Sequence, residues 1–134
     1  MQKVFNVGLI GCGNIAETYF RAQKYFNNFK IIKCADINQK AAIKCAKENN
    51  IESVSVNKLL KDKEIKVILN LTIPKAHYII AKKALLNGKH VYSEKPLAIN
   101  FKDGKDLISL AKRKKLCIGN APDTFLGGGI QKSR

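Results

Sequence analysis

The residues with the clearest chemical potential stand near the amino terminus. Gly11-Cys12-Gly13-Asn14-Ile15-Ala16 spaces small residues as G-x-G-x-x-A, directly after an apolar, β-branched run. Between a strand and a helix, each small residue has a physical task. Gly11 permits a tight turn, Gly13 lets a pyrophosphate approach the backbone, and Ala16 lets the helix pack close to the sheet. The first N–H groups of that helix then offer partial positive charge to phosphate oxygens. Asp36 ends the next apolar run. A carboxylate at such a position accepts hydrogen bonds from ribose hydroxyls and repels a 2′-phosphate. Ile37 and Asn38 follow, so no arginine is adjacent to grip that phosphate, and only Lys33 and Lys40 are near in sequence. The pattern favours NAD over NADP as the dinucleotide. Asn38 is better placed than Asp36 to cap the next helix.

These residues need a scaffold, and the hydropathy pattern supplies one. Strand-like and helix-like blocks alternate, which argues for βαβ units on a parallel sheet. Strands are expected at residues 4–10, 29–36, near Val54, at 67–71, 90–93 and 116–119. Helices are expected at 14–27, 39–48, around Lys58-Leu59-Leu60, from Pro74 to a stop at Asn87-Gly88, and from a cap at Asn100 to about Lys114. Residues 67–71 read as an uninterrupted apolar run of a central strand. The expected fold is an α/β Rossmann domain, a doubly wound parallel sheet in the order 3-2-1-4-5-6. Residues 1–120 would form this domain. Residues 121–134 would open the connection to a further domain, with the crossover helix cut short.

Composition narrows the classes. With 134 residues, 46% of them hydrophobic, the chain has room for one core. No apolar run approaches the ~20 residues of a membrane span, and the start shows no signal-peptide pattern, so a cytoplasmic setting without membrane partners is expected. The net charge of +15 invites a nucleic-acid reading. Its distribution opposes one: arginine occurs only at Arg21, Arg113 and Arg134, and the lysines are spread over every expected helix. The basic cluster Lys112-Arg113-Lys114-Lys115 falls at a helix end, where the macrodipole explains it. Four cysteines, Cys12, Cys34, Cys45 and Cys117, include no Cys-x-x-Cys pair. Free thiols and no metal site are therefore expected. Cys12 reads as a small residue filling a tight turn.

Two more segments fall at carboxy ends of expected strands, the edge where open α/β sheets bind ligands: Thr72-Ile73-Pro74-Lys75-Ala76-His77 and Ser93-Glu94-Lys95-Pro96. Together with the glycine turn, they resemble the glucose–fructose oxidoreductase, inositol dehydrogenase and rhizopine-catabolism family (Gfo/Idh/MocA). The resemblance covers essentially the whole chain, and the Glu-Lys-Pro tripeptide is its most specific sign. The segment from Asn120 to Gly127 is similar to the crossover into the second domain in a sugar-dehydrogenase-like subset.

The resemblance implies roles for particular residues. Gly11, Gly13, Asn14 and Ile15 would hold the pyrophosphate and Asp36 the ribose. Thr72, Pro74 and His77 would line the cleft near the nicotinamide ribose, His77 having an ordinary buried helix residue as its alternative reading. Glu94 and Lys95 would flank the nicotinamide, with Lys95 the catalytic residue reaching the substrate hydroxyl. Asn120 and Pro122 would sit at the pocket edge. The implied activity is hydride transfer between NAD and a sugar or polyol hydroxyl, in a full-length form that is a homo-oligomer. Other catalytic groups would come from a carboxy-terminal domain, so the isolated chain is expected to be inactive. The rival reading is a non-catalytic NAD-binding sensor or assembly module, which would need Asp36 but not Lys95.

Overall fold

The structure, a computed structural model, describes residues 4–121 and Lys132. Its strands are β1 (Phe5–Ile10), β2 (Phe29–Ala35), β3 (Glu52–Ser53), β4 (Val67–Asn70), β5 (His90–Glu94) and β6 (Ile118–Ala121). The helices are α1 (Ala16–Ala22), α2 (Gln39–Asn49), α3 (Val56–Lys61), α4 (Pro74–Leu86) and α5 (Phe101–Lys114). All strand pairs are parallel, and the six-stranded sheet runs β3-β2-β1-β4-β5-β6. This is the doubly wound Rossmann arrangement that the alternating pattern predicts.

Alternating side chains on the central strands feed separate cores on the two sheet faces. Val7 and Leu9 of β1 join Ile31, Cys34, Leu69 and the buried sides of α1 and α2. Ile10, Ala35 and Ile68 point the other way and pack with α3, α4 and α5 through Leu59, Leu85 and Leu107. The crossover point therefore lies between β1 and β4, whose carboxy ends diverge to opposite helical layers. There the turn after β1 and the loop after β4 face each other.

Helix ends follow local chemistry. The Asn38 side chain accepts from Lys40 and Ala41 N–H, Ser55 from Lys58 N–H and Asn100 from Asp103 N–H. Pro74 occupies the first turn of α4, where its missing N–H costs nothing. α1 begins two residues later and ends sooner than the hydrophobic spacing implies. It passes into a 3-10 turn, Gln23–Tyr25, and the Gln23 side chain accepts the Ile31 N–H at 2.6 Å. That bond serves β2 next to a bulge in its pairing with β1, where the register slips between Val7 and Gly8. β6 starts at Ile118, not at Leu116. Lys115 takes a left-handed conformation after α5, and Leu116 N–H still bonds back to Ala111 O, which uses Leu116 to finish the helix.

Candidate functional site

The glycine turn leaves β1 with Gly11 at φ +103°. A Cβ there would come within 2.5 Å of the Leu71 backbone, so both conformation and space exclude a larger residue. Gly13 differs: a Cβ on it would meet nothing within 4 Å, so its backbone faces an open cleft. Ile15 caps α1 without a side-chain hydrogen bond. Among the described residues, no protein acceptor takes the N–H groups of Gly13, Asn14 and Ile15. Open backbone donors beside an open cleft fit a phosphate group.

Asp36 sits at the end of β2 and closes over this turn. Its Oδ2 accepts the Cys12 N–H at 2.7 Å and its Oδ1 accepts the Asn38 N–H at 2.7 Å. Because Asn38 caps α2, the carboxylate is not spent as a helix cap. Each oxygen keeps lone-pair capacity for a further donor such as a ribose hydroxyl. Ile37, next in the chain, is fully exposed, and no arginine adjoins Asp36 in the sequence.

The loops after β4 and β5 are knitted together by a buried polar network that the sequence reading missed. Asn70, wholly buried, donates from Nδ2 to His77 O at 3.0 Å and Ser93 Oγ at 3.2 Å, and accepts the Thr72 hydroxyl at 2.7 Å. His77 is 1% exposed, with Nδ1 2.5 Å from Pro96 O and Nε2 2.7 Å from Thr72 O. Its ring thus spans from the β4 loop to the β5 loop. His77 ties Thr72 to Pro96 from a buried position. Thr72 is half-buried, and Pro74, in the first turn of α4, is exposed.

Glu94 ends β5. Its Oε1 accepts the Tyr19 hydroxyl of α1 at 2.7 Å and its Oε2 accepts the Lys95 N–H at 3.1 Å. Lys95 is exposed, and its peptide bond to Pro96 is cis. Asn120 in β6 donates from Nδ2 to Ser93 O and Glu94 O at 3.1 and 3.0 Å, fixing the end of β5 from the other side. Pro122 lies outside the described residues. The carboxy ends of β1, β2, β4, β5 and β6 thus gather Gly13, Asp36, Thr72, Lys95 and Asn120 along one edge of the sheet.

The Cys12 thiol donates to Ala35 O at 3.6 Å, and the neighbouring Cys34 thiol together with burial pushes it up from its ordinary value. The family model of the Gfo/Idh/MocA oxidoreductases, describing their NAD-binding Rossmann fold, matches residues 5–121.

The chain belongs to this oxidoreductase family.

Relatives agree in kind. An oxidoreductase, P35, from Formosa agariphila is 29% identical over 119 residues, covering 87% of this chain and 37% of its own. An inositol 2-dehydrogenase/D-chiro-inositol 3-dehydrogenase from Lactiplantibacillus plantarum is 29% identical over 114 residues, covering 82% of this chain and 33% of its own. The biliverdin reductase of Synechocystis, solved with biliverdin and NADP+, superposes with a TM-score of 0.88 at 30% identity, over 94% of this chain and 40% of its own. The chain therefore spans about a third of the length of these curated relatives. It carries the NAD(P)-binding domain of the family. No helix among the described residues is long and apolar enough to cross a membrane.

Proposed function

We propose that this domain binds NAD in preference to NADP and serves hydride transfer between the nicotinamide and a sugar or polyol hydroxyl. The observation that carries the cofactor reading is the pairing of Asp36 with the glycine turn, through its bond to Cys12 N–H. Gly13, Asn14 and Ile15 would receive the pyrophosphate on open N–H groups, with Gly11 making the turn. Asp36 would take the adenosine ribose hydroxyls, and its charge would oppose a 2′-phosphate.

The remaining groups order the nicotinamide end. Thr72 and Pro74 would flank the ribose, held in place by Asn70 and His77. Glu94 orients the backbone of Lys95, and Asn120 fixes the strand end from which both project. Pro122, outside the described residues, would complete the pocket edge. When bound, the nicotinamide supplies the hydride acceptor or donor. Lys95, extending from the sheet edge, would hold the substrate oxygen and its proton while the C–H bond changes hands. A carboxy-terminal domain of the kind that lengthens the relatives would enclose the substrate and add further acid–base groups, in a homo-oligomeric whole.

The test is calorimetric titration of the chain with NAD and NADP. The expected result is tighter binding of NAD, with the difference narrowed by Asp36→Ser. Equal affinities in the unmodified chain would remove the role assigned to Asp36.

A further inference from the structure

Three of the four cysteines, far apart in sequence and carrying no metal-binding spacing, meet in the fold. Cys12 comes from the glycine turn, Cys34 from β2 and Cys45 from α2, and their sulfurs all lie within 4.8 Å of one another. All three are free thiols, Cys34 and Cys45 buried and Cys12 half-buried. A metal about 2.3 Å from each sulfur requires the sulfurs to stand about 3.8–4.0 Å apart in tetrahedral or trigonal coordination. Side-chain adjustments of less than about 1 Å separate the cluster from that geometry. A cavity of about 550 Å³ between α1 and α2 is lined by Cys12 and Cys45, so an ion and a fourth, exogenous ligand have a route to the sulfurs.

We propose that Cys12, Cys34 and Cys45 form a three-thiolate site for one thiophilic d10 cation, Zn2+ or Cu+, directly beneath the glycine turn. The donor set is wholly soft, with no carboxylate or imidazole within it, which selects these ions over Mg2+ or Ca2+. Each thiol that enters as S–H loses its proton to solvent as the metal–sulfur bond forms, and no electron changes hands. A bound cation neutralises the thiolates it gathers, so metal binding and thiol deprotonation are coupled. The three sulfur ligands are not dinucleotide contacts, and the cavity that reaches them is also lined by Gly13 and Asn14 of the glycine turn.

The experiment titrates the reduced 134-residue chain with Zn2+ against a chromophoric chelator and, anaerobically, with Cu+ against a Cu+ chelator. Cd2+ serves as a spectroscopic probe. The expected result is one saturable equivalent for at least one of Zn2+ and Cu+, and thiolate-to-metal charge-transfer absorption with Cd2+. Cys12→Ala and Cys45→Ala, checked for native circular dichroism, should each weaken binding at least tenfold. Cys117→Ser, at an exposed position outside the cluster, should leave it unchanged. In the unmodified protein, metal uptake should release protons, read with a pH indicator in weak buffer, a readout that requires no substitution. No saturable binding of either ion overturns the proposal, as does binding that survives the paired Cys12→Ala, Cys45→Ala change or metal uptake without proton release. A chain that binds NAD but neither ion overturns this inference alone.

Discussion

The Asp36 carboxylate accepts the backbone N–H of Cys12 at 2.7 Å, so the side chain suited to a ribose also clamps the turn suited to a pyrophosphate. The two jobs can be separated by substitution. Asp36→Asn removes the charge that repels a 2′-phosphate and keeps one acceptor oxygen for the two N–H groups, of Cys12 and Asn38, that the carboxylate serves. It should bring NAD and NADP affinities together in calorimetry and lower the thermal midpoint less than Asp36→Ala does. Asp36→Ala should lose the clamp as well, at a stability cost of about 1–3 kcal/mol for charge-assisted hydrogen bonds to backbone. If Asn and Ala variants melt alike, the clamp contributes nothing.

Asn70 offers a test of the network behind the site. It is wholly buried, and its amide bonds join Thr72, His77 and Ser93. Asn70→Leu leaves those partners without a match, at about 1–3 kcal/mol per unsatisfied buried group. Urea unfolding should show a lowered midpoint. The paired Asn70→Leu, Ser93→Ala change should cost less than the sum of the single changes, because one orphaned group is removed with its partner. Strict additivity would show that Ser93 is not coupled to Asn70.

The strand order, the glycine turn and Asp36 were legible because each rests on local sequence: apolar blocks of strand length, small residues at fixed spacing, a carboxylate closing a strand. Three features were not. Residues 67–71 read as an apolar run, yet Asn70 inside it is the polar hub of the site. An amide within a central parallel strand is the signal that marked it, because burying one demands partners. His77 carried two readings, a cleft residue and an ordinary buried helix residue, and only tertiary packing reveals that its ring lies between the Thr72 and Pro96 carbonyls. The cysteine cluster is likewise non-local, since Cys12, Cys34 and Cys45 converge only after β2 pairs with β1 and α2 folds onto that face. The end of α1 and the start of β6 depended on a Gln23 side-chain bond and a left-handed Lys115, neither of which periodicity reports.

A pH dependence follows from the ion pair that braces the opposite edge of the sheet. Lys33 Nζ lies 2.6 Å from Asp62 Oδ2, with Glu52 and Glu64 at 3.4 and 3.6 Å. The Lys33 hydrogen bond holds the Asp62 carboxyl below the usual carboxylate range, and Asp62 raises Lys33 in return. The stabilisation from Asp62 is complete above its unfolded-state pKa, about 3.9. It is lost as pH falls through the lower folded-state value. The contribution of Lys33 is complete below its unfolded pKa, about 10.4. It fades as pH rises through the raised folded value. Urea midpoints of the unmodified chain should therefore decline on acidification through the carboxylate range. In Asp62→Asn that decline should be shallower, from a lower plateau at neutral pH. Parallel curves for the two proteins would show that the pair does not couple folding to pH.

Lys95 carries the sharpest chemical prediction. Oxidising a hydroxyl requires loss of the O–H proton as hydride leaves the adjacent carbon, so a group must hold the developing alkoxide or relay its proton. A lysine ordinarily retains its proton at neutral pH, with a pKa of about 10.4. Desolvation beside the oxidised nicotinamide, which is cationic until it takes the hydride, disfavours the ammonium form and moves a lysine toward acid–base use. Lys95 is exposed in this domain, and its backbone is set by the Glu94 carboxylate, so any such desolvation must come from the substrate side. In a full-length family member with the same Glu-Lys-Pro segment, replacing this lysine by alanine should lower kcat by about 10²–10⁴, the range of a true acid–base group. NAD affinity should barely change, because the pyrophosphate and ribose contacts lie on β1 and β2. A positioning contribution would instead raise KM with kcat nearly intact and would leave the pH profile of kcat in place. Retention of most of kcat in the alanine variant would make Lys95 a surface lysine of the turn, and the proton would have to travel through groups of the carboxy-terminal domain alone.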